Sequence, residues 1–542
     1  MHSRRRSIRG IWRPTQTDRN RSGYQSGDDE TLDMKTWNLT RLRPARPSSR
    51  GSAGMRHMPA CESLHLPPGC RLSMFALTCV AFFTTCGGAF GIEPLVGAVG
   101  PGWAVVMIVV TPFVWSMPIA LMVAELSTRM PEEGGYYVWV HETLGPFWAV
   151  QEAWWTMSYS VVLMAMFPVL FVGYLTFFVP SLAPAADASH HGLGPVLRWL
   201  LAALVTMTAM VVNLRGARDV GRSSKFSAIF VLSAFAVLVV VWLIRDSPTQ
   251  NVFPRIDPDF GSNHVGVLLV ALSTIIFNYS GWDNVSTYAA EVDQPQRNYP
   301  RAIAIALLMV VLAYLLPVLA GISATTDFAA WNTDAGWPVI SELVGGHWLG
   351  AIIATAGLVS AWALFNAQLF YVSRLPFVMA RDGWLPKRFA NVTHKSGVPR
   401  EAIVLFCLLT ALLTSITFVG LAVIQCILYA AALTLEFLAL LVVRYRGTVA
   451  PGSFRVPGGW LGLAYVCVTP FTVTLLVVKA TLQDWRSFPG AFLFVGLSVV
   501  TGALLFLLRR RTAARHNAAL LPSASTEIPA SAASNDQLCV GF

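Results

Sequence analysis

Cys86-Gly87-Gly88-Ala89-Phe90-Gly91-Ile92-Glu93-Pro94 interrupts an apolar run that begins near Leu72, and the reading of this stretch decides the fold. Three glycines within residues 87–91, followed by a carboxylate and a proline, make a poor helix interior. Each glycine costs roughly 1 kcal/mol relative to alanine in a helix. Pro94 lacks the N–H that would continue a helix, yet it fits the first turn of a new one. In hydrocarbon every backbone N–H and C=O needs a partner, so such a break survives only where it lines a cavity or contacts protein. The stretch therefore predicts two half-helices with unwound backbone around 87–91. A second interruption, Phe277-Asn278-Tyr279-Ser280-Gly281-Trp282-Asp283-Asn284, lies between the apolar runs 265–277 and 285–290. A polar octet at that depth is expected to face the interior of a helix bundle.

The surrounding chain supports a membrane setting. Of 542 residues, 55% are hydrophobic and 13% are charged. Soluble globular proteins carry about 25% charged residues, and the mean hydropathy is +0.56. The chain is expected to be an all-α integral membrane protein. Its formal charge of +10 raises the question of nucleic acid. However, residues 1–71 hold 14 Lys and Arg against 6 acids, and the rest holds 25 against 23. The basic excess belongs to an Arg-, Ser-, Pro- and Gly-rich tail with no aromatic interleaving, so no nucleic-acid partner is expected. No apolar segment follows Arg4-Arg5-Arg6 until about Leu72, which argues against a cleaved export signal. The eight cysteines, at 61, 70, 79, 86, 407, 426, 467 and 539, form no Cys-x-x-Cys pair. Neither a disulfide framework nor a metal site is expected.

A hydrocarbon core of about 30 Å needs about 20 apolar residues per helix. Twelve segments qualify, near 72–98, 102–126, 146–179, 196–214, 224–244, 265–290, 301–323, 347–373, 402–419, 421–443, 460–480 and 488–508. With a cytoplasmic N-terminus, 20 of the 25 Lys and Arg beyond the tail fall on the inner side and five fall outside: Arg198, Arg245, Arg255, Lys479 and Arg486. The positive-inside bias thus predicts that both termini are cytoplasmic. The expected organisation is a disordered basic tail over 1–70, helices 1–5 over 71–245, helices 6–10 over 246–445, helices 11–12 over 446–511, and a disordered tail over 512–542.

Interrupted helices at the first position of each half point to the binding site of a secondary transporter built from inverted repeats. Glycines also serve close helix packing, and Gly97, Gly100 and Gly102 fit that role. The glycine cluster is no nucleotide loop, since no strand precedes it and no Gly-Lys-Ser/Thr follows.

At the two breaks the sequence resembles the amino acid–polyamine–organocation transporter superfamily, and within it the plant-type polyamine and amino acid uptake branch. The likeness is carried by Gly87-Gly88-Ala89-Phe90-Gly91-Ile92-Glu93, Pro112-Phe113-Val114-Trp115-Ser116-Met117-Pro118, Ala124-Glu125-Leu126, Pro131-Glu132-Glu133-Gly134-Gly135-Tyr136, Leu144-Gly145-Pro146-Phe147-Trp148, Phe167-Pro168-Val169-Leu170-Phe171 and Trp282-Asp283-Asn284-Val285-Ser286-Thr287, with Glu291-Val292 and Pro295 beyond. It covers residues 72 to about 323 in detail. The resemblance implies twelve transmembrane helices in a LeuT-like five-plus-five inverted repeat with broken helices 1 and 6, two extra helices, and alternating access.

It also implies a substrate site. A substrate carboxylate would meet the backbone N–H groups of Gly88, Ala89 and Phe90, beside Gly91, as exposed N–H groups at a helix start attract anions. An amino group would meet carbonyls from Thr85 to Gly87 and from Ile276 to Asn278. Phe277 would close over the substrate, with Tyr279, Ser280, Gly281 and Trp282 completing the second break. Plant-type polyamine carriers have an acid directly after the Glu of the first break, in the third helix, and near the place of Gly173. This chain has Pro94, Leu163 and Gly173 there. An amino acid is therefore the expected substrate, with putrescine or spermidine as the alternative. Some relatives use a lysine midway along the fifth helix, but 226–244 contains no ionisable group. Glu93 and Asp283 become the candidate proton carriers, and Asp283 is equally fitted to cap the second half-helix. Glu125 is expected to pair with a cytoplasmic base.

The expected function is secondary active amino acid transport across the cell membrane in symport with H+. The expected partners are a small-molecule substrate, the proton and the lipid bilayer, with no cofactor and no catalytic residue. A membrane enzyme is disfavoured because His190-His191 has no nearby ligand partners in the sequence. A transporter-fold nutrient sensor would carry a folded appendage that neither tail suggests.

Overall fold

A computed structural model describes residues 73–130, 134–183, 193–245, 265–286, 292, 294–325, 328–331, 336–393, 398–447, 453–483, 486 and 489–520. The expected tail at 1–70 and the part of the expected 512–542 tail beyond 520 lie outside these residues, as does Arg255, while residues 512–520 continue the last helix rather than forming a disordered tail. All regular elements among the described residues are helices.

The first apolar run forms α1 (Met74–Thr85), which stops at the glycine cluster, and α2 (Glu93–Thr111) resumes with Pro94 in its first turn. Within α2 the chain kinks at Gly100, whose φ of 76° suits glycine, and Pro101 starts the next straight segment. One π-helical turn, Pro112–Ser116, joins α2 to α3 (Met117–Arg129). A π turn absorbs the N–H missing at Pro112 without ending the helix.

The connector after α3 carries α4 (Tyr136–Leu144), closed by Gly145 at φ 91°, and Pro146 then opens α5 (Pro146–Leu175). There follow α6 (Leu193–Arg215), α7 (Ala217–Ile244) and the short α8 (Val265–Asn278), which ends at the second polar octet. Beyond it lie α9 (Pro295–Ala324), then α10 (Phe328–Trp331) and α11 (Gly336–Gly345) as a capping pair, and α12 (His347–Val372). The chain closes with α13 (Arg374–Arg381), α14 (Arg400–Leu413), α15 (Phe418–Arg446), α16 (Gly459–Gln483) and α17 (Pro489–Leu520).

Nine helices among the described residues are long and apolar enough to cross a membrane. The runs that yield shorter helices are α1 and α8, cut by the polar interruptions, and α14. Burial separates interior from periphery. In the most apolar stretches of α5 and α15, 72% of residues are buried, against 22% in α6, α16 and α17. The outer helices expose Leu204, Phe471 and Leu493, which an acyl-chain solvent would accept. α5 packs against α15 on one side and α12 on the other, while α2 packs on α8. Arg446 at the end of α15 donates to the carbonyls of Glu142 and Thr143, which places that end beside the start of α5. Nearby, Tyr137 donates to Asp382 at 2.8 Å, and burial together with that carboxylate pushes the Tyr137 hydroxyl well above its usual range.

Candidate functional site

The two interruptions meet in the bundle interior, through residues 187 apart in sequence. Asn278 at the end of α8 donates through Nδ2 to the carbonyl of Gly91 at 3.0 Å. Tyr279 donates to the carbonyl of Ile108 at 2.9 Å and accepts from Ser116 at 3.3 Å, anchoring the second break on the α2–α3 rod. Gly281, at φ 103°, approaches α1 so closely that an added Cβ would lie 2.9 Å from the carbonyl oxygen of Thr84. Only glycine permits both that conformation and that approach.

In the first break, Gly88 and Gly91 both hold positive φ, 97° and 84°. Successive turns of this kind curl backbone N–H groups into a concavity suited to an anion. The hydrogen bonds of the described residues use none of the N–H groups of Gly88, Ala89 and Phe90, whereas Gly91 N–H donates to the Tyr174 hydroxyl at 3.2 Å. The carbonyls are differently placed. Gly87 C=O accepts from Ser360 at 2.6 Å, Ala89 C=O from Trp337 at 2.5 Å, Asn278 C=O from Tyr314 at 2.7 Å, and Ile276 C=O from the Ser280 hydroxyl at 2.5 Å. The carbonyls of Gly87, Ala89 and Asn278 each keep one lone pair for a further donor, whereas Ile276 C=O also accepts from the Tyr279 N–H at 3.1 Å and is filled. Thr85 is buried with its hydroxyl oxygen unpartnered, and Trp282 is buried with its indole N–H unpartnered.

Aromatic rings wall the break. Phe90 sits between Tyr174 and Phe235, with centroids 5.0 and 4.8 Å away. Phe277 meets Phe418 edge-on at 5.5 Å, and both rings press on Gly91, where a Cβ would stand 3.2 and 3.3 Å from them.

Both candidate proton carriers are interior. Glu93 accepts from the Tyr174 hydroxyl at 2.7 Å through one oxygen, and its other oxygen has no partner. The capping pair covers it, with Gly336 so near that a Cβ would be 2.8 Å from Glu93 Cγ. Asp283 accepts from the hydroxyls of Tyr429 at 2.6 Å and Tyr159 at 3.3 Å. The backbone N–H groups of Asp283 and Asn284 are also within reach of its carboxylate, whereas a helix cap takes the N–H two or three residues on. Residues 283–286 form one tight helical turn, and the rest of the expected second half-helix lies outside the described residues. Glu125 pairs with Arg129 at 2.8 Å and with Arg444, as expected of a carboxylate at the base-rich end. Trp362 and Asn366 turn toward α6, where Trp362 donates to Thr208 and Asn366 accepts from Asn213.

Sequence reading missed Tyr174, Trp337, Ser360, Tyr314 and Tyr429, which satisfy the broken backbone and the acids. They come from α5, α11, α12, α9 and α15. A hydroxyl or indole inside an apolar helix marks a candidate, but only the tertiary contact reveals its partner.

A family model described as "Amino acid permease" matches residues 72–500. Polyamine transporter PUT1 of Oryza sativa subsp. japonica is 34% identical over 442 residues, covering 81% of this chain and 79% of that protein. The methylthioribose transporter of Bacillus subtilis (strain 168) is 27% identical, covering 81% of this chain and 93% of that protein. The branched-chain amino acid permease BcaP of the same organism is 24% identical, covering 75% and 90%.

Proposed function

This chain belongs to the amino acid permease family, in the plant-type polyamine and amino acid branch of the amino acid–polyamine–organocation superfamily, and from that premise we propose that it moves amino acids across the cell membrane by alternating access in symport with protons. The observation that carries the substrate class is the first break. It offers three unused N–H groups on a backbone curled by two positive-φ glycines, and that geometry suits a carboxylate. A polyamine has no carboxylate to meet it. The partly used carbonyls of Gly87 and Asn278 suit an ammonium group on the other side. Phe277, which meets Phe418 beside Gly91, is the ring proposed to close over the bound molecule.

In this reading α1 with the first residues of α2 makes one broken crossing, and α8 with the turn after it makes another. With α14, the remaining long helices and the kink at Gly100, the count is twelve, in two inverted sets of five plus two. The charge distribution puts both termini in the cytoplasm. Glu93 and Asp283, buried carboxylates beside the two breaks, are the coupling groups.

A specific observation favours polyamines as the second reading. The relatives that are 31–34% identical over three quarters or more of this chain are named as polyamine transporters or probable ones. Uptake of labelled leucine, arginine, putrescine and spermidine into proteoliposomes under an imposed pH gradient separates the two. Amino acid uptake is expected, silence for both amino acids with spermidine uptake would favour the second reading, and silence for all four defeats both. Asp283→Asn is expected to remove pH-driven uptake while substrate binding persists. Equal loss of binding would leave Asp283 as a helix cap.

A further inference from the structure

Glu152 of α5 and Glu436 of α15 have no place in the site described so far, yet they are 0% and 1% exposed. Tyr159 and Tyr429, whose hydroxyls both reach Asp283, stand on the same two helices. On each helix the glutamate is seven residues from the tyrosine, which is two turns on the same face and about 10 Å along the axis. Both offsets run the same way, toward the start of α5 and the end of α15. These ends are adjacent, since Arg446 donates to the carbonyls just before α5. That is the arginine-rich end, which the charge distribution assigns to the cytoplasm.

Glu436 lies within electrostatic reach of both Asp283 and Glu152, and Glu152 within reach of Asp283. The other titratable groups facing the cluster are Tyr136 of α4, Tyr159 of α5, Tyr371 of α12 and Tyr429 of α15. Among the described residues no lysine, arginine or histidine forms an ion pair with any of the three acids. One oxygen of Glu152 accepts from Thr156 at 2.8 Å, while Oε2 of Glu152 and Oε2 of Glu436 have no hydrogen-bond partner.

Unpaired buried charges cost several kcal/mol each, so a cluster of three carboxylates has to acquire positive charge. Among the described residues no three His, Cys, Asp or Glu side chains are placed to hold a metal ion. A proton needs only an oxygen lone pair. We propose that Glu436 and Glu152 carry the coupling proton from Asp283 to the cytoplasmic face. The proton leaves the Asp283 carboxyl, which becomes a carboxylate, and water entering between the helices passes it to the Glu436 carboxylate, which becomes the acid. Glu152 repeats the exchange, and release to cytoplasmic water returns it to a carboxylate. This inference rests on the proton-symport reading above.

The test uses the full chain in proteoliposomes that enclose a pH-sensitive dye, with labelled leucine and spermidine as probes. Glu436→Gln and Glu152→Gln are each expected to lower substrate-driven proton influx at least ten-fold. Counterflow of the same substrate at equal pH should stay within two-fold of the parent chain. Glu436→Asp, which keeps a carboxylate, should recover proton influx and guards against a Gln variant that fails to fold. Unchanged influx in both Gln variants overturns the proposal. A parallel fall in counterflow also overturns it, by placing the glutamates in the scaffold or the substrate site. If the parent chain takes up substrate without proton influx, the symport reading fails; if the parent couples and the variants still couple, only this inference fails.

Discussion

Two regions of the bundle bury carboxylates in different ways. At the arginine-rich end of α3, Glu125 is fully buried between Arg129 and Arg444, and it also accepts from the Val456 N–H at 2.8 Å. Two guanidinium groups, each 4% exposed, replace the water it has lost. In the middle of the bundle, Asp283, Glu152 and Glu436 are equally buried, but no guanidinium meets them: the side chains that donate to Asp283 and Glu152 are hydroxyls, and one oxygen each of Glu152 and Glu436 is left unpartnered. The first arrangement holds α3 to α15 and to the segment before α16 in one charge state. The second has no cation, among the described residues, to fix its charge state. The difference teaches where stability and function are separated: a paired carboxylate is expensive to break, and an unpaired one is expensive to leave charged.

The largest expected effect breaks the paired region. Glu125→Gln strands two buried arginines, and loss of one partner of a buried ion pair costs about 3–5 kcal/mol. Thermal unfolding in detergent should show a clearly lowered midpoint. The same exchange at Glu152 should leave the midpoint unchanged or raised, and equal falls for both variants would erase the contrast. Next is Gly281→Ala, which forces a side chain into positive φ, at about 1–2 kcal/mol. It also pushes that side chain against the Thr84 carbonyl. Binding measured by ligand-induced thermal shift should be lost; an unaltered shift would mean the two breaks need not touch. Tyr429→Phe removes a hydroxyl that donates to Asp283 and accepts from the Gly281 N–H. The loss of a buried hydrogen bond to a charged group is worth about 1.5–3 kcal/mol if Asp283 is charged in the resting state, and about 1 kcal/mol if it is neutral. The unfolding midpoint of this variant thus reports which state Asp283 occupies. The smallest effect is Thr417→Ala at the start of α15, where the hydroxyl accepts from the Gly420 N–H at 3.3 Å. Loss of this cap should cost about 1 kcal/mol and leave transport kinetics intact; altered kinetics would show that the outer end of α15 takes part in the cycle.

Much of this contrast was legible in the sequence only on one side. Glu125 stands near the base-rich end of an apolar run, so an arginine partner was expected, and Arg129 is one turn away. Arg444 is not foreseeable from spacing, because 319 residues separate it from Glu125. Glu152 and Glu436 read as isolated acids in two apolar helices, and only the packing of α5 on α15 brings them to Asp283. The two breaks were legible because glycine, proline and a polar octet are local violations of helix chemistry. The groups that satisfy them, such as Trp337 on Ala89 and Tyr314 on Asn278, were not, because each is supplied by another helix.

The amino-acid sequence by itself determined a helical membrane chain, the sites of its two interruptions and the asymmetry of its basic residues. Apolar length, glycine, proline and charge act through the nearest few residues and the surrounding solvent, so their consequences can be read locally. Which lone pairs and N–H groups remain free at the breaks was decided by the tertiary structure, as was which buried acids find a cation. Those outcomes depend on the approach of helices distant in the chain, and no local pattern encodes their distances.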